Sequence, residues 1–341
     1  MKKDTIYDLV VIGNGIAAQI FLWNLFEDIK CQDFSVAQIS DEKLAPACTL
    51  RSSATVSLNG ISEDVSPLGN DMRAAYYLFE KFVEEHHPDG VIKVDRHVIS
   101  TNENDENKLI RRYKKVEQIN SPFFNMSHRG VIYPSYLINN DFYHSWLQRH
   151  SSKSVDSFNL FIKNIKKNDE GFFECESSCQ QVVKAKKVLL ATGAYAKIFN
   201  GFFYDLTGID KESKNEIKAG TYLEKEIVLP FNSFYLSIDS YNILYKSNIL
   251  QIGSTSVLGA FSSAPLVECN EILKHCQKYV SFDLGEIAEY QKITGLRHKA
   301  PKRMIECSES LVTPGLFHFN GLYKNGFSMS FLGAKKILNL L

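Results

Sequence analysis

The chain has 341 residues, 44% of them apolar, and its 39 Lys plus Arg balance 39 Asp plus Glu. That length carries enough apolar surface for a large core shared by two domains, and the zero net charge gives no electrostatic case for nucleic acid or an anionic membrane surface. No apolar run approaches the ~20 residues of a membrane span. Met1-Lys2-Lys3 leads directly into a core strand, which leaves no room for a signal peptide. Seven cysteines, scattered and odd in number, do not form a secreted disulfide framework, and the one close pair, Cys175 and Cys179, lacks companion metal ligands. A cytoplasmic location is expected.

In chain order, the first element is a strand, Tyr7 to Ile12, that runs into Gly13-Asn14-Gly15-Ile16-Ala17-Ala18. This is the G-x-G-x-x-G/A turn of a dinucleotide-binding βαβ unit. Gly13 permits the tight turn, Gly15 lets a pyrophosphate approach the backbone, and Ala18 is small enough for the helix to pack on the sheet. A helix over 16–27 aims its free N–H groups at that pyrophosphate. The next strand, Phe34 to Ile39, should end in an acidic ribose ligand, but Ser40 stands there and Asp41 comes one place later. Either Asp41 reaches the ribose, or Ser40 makes a weaker bond while Asp41 and Glu42 solvate a loop.

Further helices are predicted over 71–86, 136–150, 268–280 and 327–341. A second apolar strand is Lys187 to Thr192, followed by Gly193-Ala194, and short alternating strands run through 222–255. Nucleotide-fold signals near residues 10 and 190 and at the C-terminus, with strand-rich material between, imply an α/β fold. The expected organisation is a discontinuous Rossmann-like nucleotide domain (1–75, 130–205 and 290–341) and an inserted antiparallel-sheet domain (76–129 and 206–289).

Several segments carry a family resemblance. Val188 to Ala194 resembles the "ATG" strand-and-turn of two-dinucleotide-fold flavoproteins, and Gly130 to Pro134 with Leu137 resembles the segment before it. Gly315 to Ser328 resembles the closing motif of the D-amino-acid oxidase family, in its glycine oxidase and sarcosine oxidase branch. Thr294 to Pro301 is similar to the G-x-R-P-x-x-P segment, and Arg51-Ser52-Ser53-Ala54 to a flavin-contacting loop. The resemblance implies a two-dinucleotide-fold domain binding FAD. The cofactor contacts it implies add Arg51, Ser52, Ser53, Thr192, Gly193, Gly321, Tyr323, Lys324, Asn325, Gly326, Phe327 and Ser328 to Gly13, Gly15, Ile16, Ala17, Ala18, Ser40 and Asp41. Cys307 does not match the surroundings of a covalent-flavin cysteine, so non-covalent FAD is expected.

The resemblance further implies that Arg297 forks onto a substrate carboxylate, with Lys324 beside it. The alternative for Arg297 is a surface ion pair with Glu306 or another loop carboxylate. Tyr222, Tyr235, Tyr241 and Tyr245 lie in the region that forms the substrate cavity in relatives; Tyr245 is the choice among them, against the ordinary reading of strand aromatics as core. His298 replaces a common proline, and Lys299, Lys302 and Arg303 stand either in a solvated loop or against a second acidic group. The implied reaction is oxidation of an amine or amino acid by hydride transfer to flavin N5, with dioxygen reoxidising the flavin to give peroxide and an imine. The alternatives are a dehydrogenase passing electrons to a quinone or partner protein, and a flavin-binding subunit with a degenerate site.

Overall fold

The structure, a computed structural model, describes residues 5–28, 33–58, 61, 64–113, 116–151, 155–199, 216–258 and 262–341. In chain order its first half forms β1 (Ile6–Ile12), α1 (Ile16–Glu27), β2 (Val36–Ser40), β3 (Thr55–Val56), α2 (Pro67–His86), β4 (Val91–Ile99), α3 (Glu103–Tyr113), β5 (Glu117–Ile119), β6 (His128–Ile138), α4 (Asn140–Ser151), β7 (Val155–Asn159), β8 (Ile162–Lys167), β9 (Phe173–Ser177) and β10 (Val182–Leu190). The second half adds β11 (Glu216–Glu226), β12 (Phe234–Ile238), β13 (Tyr241–Lys246), β14 (Ile249–Gly253), β15 (Val257–Leu258), α5 (Leu266–Gln277), β16 (Gln291–Lys299), β17 (Glu306–Glu309), β18 (Leu316–Asn320) and α6 (Gly326–Leu338).

These strands build two sheets. In the first, β18-β10-β1-β2-β7 run parallel, and β1, β2 and β18 are buried along most of their length because both faces are covered. β10 divides its pairing: Val182–Ala185 pair with β9, whereas Val188–Leu190 pair with β18. One face packs against α1, α2, α4 and α6 through Phe21, Phe79, Phe82, Trp146 and Phe331. The other is covered by β8 and β9 through Ile162, Ile165, Phe173 and Cys175.

The second sheet has ten strands, ordered β15-β11-β14-β13-β12-β4-β6-β3, with β16 paired to β11 and β5 to β6. Its far face packs on α5 through Leu223, Phe234, Ile243, Tyr245 and Ile272. No described helix is long and apolar enough to cross a membrane.

The elements differ from expectation in several places. α2 starts at Pro67, where the Ser66 hydroxyl accepts the Gly69 N–H (3.0 Å) and proline occupies the first turn. Residues 136–138 extend β6 rather than open a helix, and α4 begins at Asn140. α3 was not anticipated: it is rich in charge and none of its side chains is fully buried, with Tyr113 stacking on Tyr133 of β6. β6 and β16 lie in the ten-stranded sheet, while Tyr76, Phe79 and Phe82 of α2 pack with α1 and α6.

Candidate active site

A cleft of about 410 Å³ lies at the carboxyl ends of β1, β2, β10 and β18, the place where open parallel sheets bind ligands. Gly13 and Gly15 meet different surroundings there. Gly13 has φ +127°, and a Cβ on it would sit 2.3 Å from the Ala191 carbonyl oxygen. Gly15 faces open space, with Thr49 Oγ1 the nearest atom to such a Cβ at 3.5 Å. That hydroxyl accepts the Ile16 N–H (2.8 Å), closing one of the free donors of α1, whose cap has no side-chain bond of its own.

Buried polar side chains fix the loop from behind. Gln38 Nε2 donates to the Gly13 carbonyl (2.9 Å), Gln19 Nε2 to Asn14 Oδ1 (2.6 Å), and Asn14 Nδ2 to Glu42 Oε1 (3.2 Å). His144 Nε2 lies 2.9 Å from the Asn14 carbonyl.

The opposite wall comes from residues 191–195 and 320–328. Asn320 Oδ1 accepts the Gly193 N–H (2.7 Å), leaving Asn320 Nδ2 and the neighbouring Thr192 Oγ1 buried without a protein partner. α6, capped at Asn325 without a side-chain bond, opens on the same cleft as α1. Ser52, Ser53 and Ala54 form the floor, with Ala54 at φ +38°. Asn140 Nδ2 holds the Ser52 carbonyl (2.6 Å), and the Lys246 ammonium holds those of Ser53 (3.4 Å) and Ile138. Burial pushes Lys246 down to about 8.

At the other end stands Arg297 on β16. Its guanidinium lies where a side chain on Gly220 would be, 2.4 Å from the position of a Cβ there. One nitrogen reaches Ser254 Oγ (3.3 Å); Nη1 is buried with no protein partner. Across the cleft, the Arg96 guanidinium sits 4.4 Å from the ring centre of Tyr235 and donates to Ser237 Oγ (2.9 Å). Lys324 is held below its ordinary value by loss of hydration and by repulsion from Arg297, Arg303 and Lys218.

The family model described as FAD dependent oxidoreductase matches residues 8–340. The chain belongs to the FAD-dependent oxidoreductase family. No curated protein matches the sequence. Solved structures with the same fold include glycine oxidase from Geobacillus kaustophilus (16% identity, TM-score 0.76, 99% of this chain and 95% of that one). Iminodiacetate oxidase from Chelativorans sp. BNC1 is similar at 15% identity and TM-score 0.76, over 96% and 94% of the two chains. Dithionite-reduced L-α-glycerophosphate oxidase from Mycoplasma pneumoniae, with FAD bound, is similar at 14% identity and TM-score 0.79, over 99% and 95%.

FAD is therefore the cofactor of this oxidoreductase, and its cleft fits one. Two helix N-termini whose cap residues make no side-chain bond converge on it, Gly15 and Gly193 present open backbone, and the orphaned Thr192 and Asn320 groups await a polar ligand.

Most residues expected at the site are brought together. Gly13, Gly15, Ile16, Ala17, Ser40, Asp41, Ser52, Ser53, Thr192, Gly193, Arg297, Gly321, Tyr323, Lys324, Asn325, Gly326, Phe327 and Ser328 all line the cleft. Ala18 lies beneath it, fully buried where α1 meets the sheet. Asp41 Oδ1 accepts the Lys43 and Leu44 N–H groups (2.9 and 3.1 Å), so half of its carboxylate already serves a turn.

Two expectations are corrected. Arg51 has an exposed side chain and does not line the cleft. Tyr245 faces away from it: β13 alternates, sending Tyr241, Ile243 and Tyr245 toward α5, and the Tyr245 hydroxyl donates to Asn248 Oδ1 (3.1 Å). The alternative ion pair of Arg297 with Glu306 is not found among the described residues; Glu306 instead lies 3.5 Å from His318 Nε2. Thr49, Gln38, Glu42, Asn140, Lys246 and Asn320 were not anticipated, because each acts through a contact remote in sequence. Their only sequence signal is a polar residue within or beside an apolar run.

Proposed function

We propose that this oxidoreductase oxidises the amine of a small molecule that also carries a carboxylate. Arg297 carries that reading: a buried guanidinium nitrogen without a partner, in the FAD cleft, suits the fork of a carboxylate. The activities for which glycine oxidase and iminodiacetate oxidase, of the same fold, are named support it. Bound FAD supplies a hydride acceptor for the amine-bearing carbon and is reoxidised by dioxygen with release of hydrogen peroxide.

The chain's own part is to bind and orient. The Gly15 turn and the start of α1 hold the pyrophosphate, with Ser40 or the free oxygen of Asp41 beside the ribose. The start of α6 and the Ser52–Ala54 floor hold the ring. Arg297 fixes the substrate carboxylate so that the reacting C–H is presented in one orientation, and Tyr235 excludes water from the facing wall. Cys307 is half-buried, its thiol pushed up to about 12 by loss of hydration, and contacts the Gly333 carbonyl rather than the cleft, which supports non-covalent FAD. The parallel-sheet half, including α2, would be the FAD domain, and the ten-stranded sheet, including β6 and β16, the substrate domain.

The test is anaerobic titration of the holoprotein with amino acids and N-alkylglycines. The expected result is bleaching of the flavin by one of them, recovery in air with stoichiometric peroxide, and loss of bleaching in Arg297→Ala with the flavin retained. Bleaching that air does not reverse would support the dehydrogenase reading. A flavin that no amine bleaches, but a hydroxy acid or glycerophosphate does, would overturn the assignment.

A further inference from the structure

The positive charge around Arg297 exceeds what one carboxylate neutralises. In the antiparallel pair of β11 with β16, Lys218 stands directly opposite Arg297, so both side chains leave the same face. Like charges in that relation destabilise a sheet. The next pair on that face, Glu216 with Lys299, is complementary and forms an ion pair, so the mismatch does not extend along the strands. Lys324 and Arg303 add to it: Arg297, Arg303 and Lys218 all repel the Lys324 ammonium, and the Tyr323 phenol is lowered against its burial by its hydrogen bond with Ser256 and then by Lys324, Lys218 and Arg297.

None of Lys218, Arg297, Arg303 or Lys324 has a carboxylate within ion-pair distance among the described residues. The backbone presenting this cluster is also strained. Lys302, Arg303 and Tyr323 have φ of +53°, +61° and +48°, conformations unfavourable for side-chain-bearing residues and common at functional sites. Arg297 and Lys324 line the cleft, whereas Lys218 and the exposed Arg303 stand outside its lining; a positive cluster without carboxylate partners draws anions and remains costly until one binds.

We propose that the substrate carries a second anionic group, a carboxylate or a phosphate, which Lys218, Arg303 and Lys324 hold while Arg297 holds the carboxylate next to the amine. This rests on the amine-oxidation reading above. It narrows the substrate to dianionic amino acids and excludes glycine-like monoanions as preferred ligands.

The experiment titrates the holoprotein with three length-matched anions, butyrate, succinate and 3-phosphonopropionate, and follows the flavin absorbance. At least one of the two dianions is expected to bind about tenfold tighter than butyrate at low ionic strength, as two partly exposed ion pairs would give. Lys218→Gln and Arg303→Gln should each erode that preference while leaving butyrate nearly unchanged, and Arg297→Lys should weaken all three. Retained flavin shows that each variant folds. A preference for succinate identifies a dicarboxylate substrate, and one for the phosphonate a phosphate-bearing one. Equal binding of all three anions overturns the proposal and leaves the amine-oxidase reading standing, as does a dianion preference that survives both glutamine variants. If none of the anions perturbs the wild-type flavin, Arg297 is not a carboxylate site and both readings fall.

Discussion

Gly13 and Gly15, two residues apart in one motif, are glycine for different reasons, and substitution separates them. A side chain at Gly13 collides with the Ala191 carbonyl and must adopt φ +127°, so the fold itself needs glycine there. Gly13→Ala is expected to lower stability by roughly 2 kcal/mol or more, with or without FAD. Gly15 has an ordinary backbone conformation, φ −76° and ψ 176°, and its missing side chain opens only onto the cleft. Gly15→Val should therefore leave the melting temperature of the apoprotein within a degree or two and abolish FAD retention. Both readouts come from one purification, as a thermal melt and a visible spectrum. A Gly15→Val protein that keeps its yellow colour would remove the pyrophosphate from this loop. The motif announced both glycines, but the carbonyl of Ala191, brought in by β10, decides which one the fold requires.

At the scale of elements, legibility follows burial. β1, α1, β10, β18 and α6 were readable because local pattern and motif agree: apolar strands end in glycine turns and apolar helices follow. β13 was not. Four of its six residues are buried on both faces, so alternation between apolar and polar, the usual guide to which side faces the core, is lost. Tyr245 and Leu244 are equally apolar neighbours, yet Leu244 packs with Tyr235 on the cleft side, whereas Tyr245 stacks on Phe234 (5.4 Å between ring centres) on the α5 side. The placement makes a specific prediction. Tyr245→Phe removes hydroxyl bonds to Asn248 and to the Leu229 N–H, which costs about 1 kcal/mol in unfolding free energy. KM and the flavin spectrum should be unchanged. A rise in KM without a loss of stability would put Tyr245 back at the substrate.

The whole molecule is held together around the cleft by contacts that no local window of sequence contains. Lys246 leaves the ten-stranded sheet from β13 and donates to the carbonyls of Ile138 and Ser53, tying that sheet to the loop on which the cofactor rests. A lysine ending an apolar strand gives no hint of this, because its partners are backbone atoms 108 and 193 residues away. Burial holds its pKa at about 8 in the folded protein against 10.5 when free, with Glu224 and Asp141 nearby opposing the shift. The sign of the pH effect follows. Below pH 8 the ammonium is charged in both states, and the folded protein bears the full cost of burying it. As pH rises from 8 toward 10.5, the folded state loses the proton while the unfolded chain keeps it, so the unfolded state binds more protons and stability rises, by up to about 1.4 kcal/mol per pH unit. Cys175 and Cys276, buried thiols pushed up to about 12, act in the opposite direction above pH 9. They remain in a Lys246→Met variant and cancel in the comparison. Urea unfolding of both proteins from pH 7 to 9.5 should therefore show the stability of the wild type gaining on that of Lys246→Met only above pH 8. The variant, with two carbonyls left unbonded, should also release FAD more readily at every pH. Parallel stability profiles would mean that the lysine is hydrated and that the Ser53 loop is held by something else.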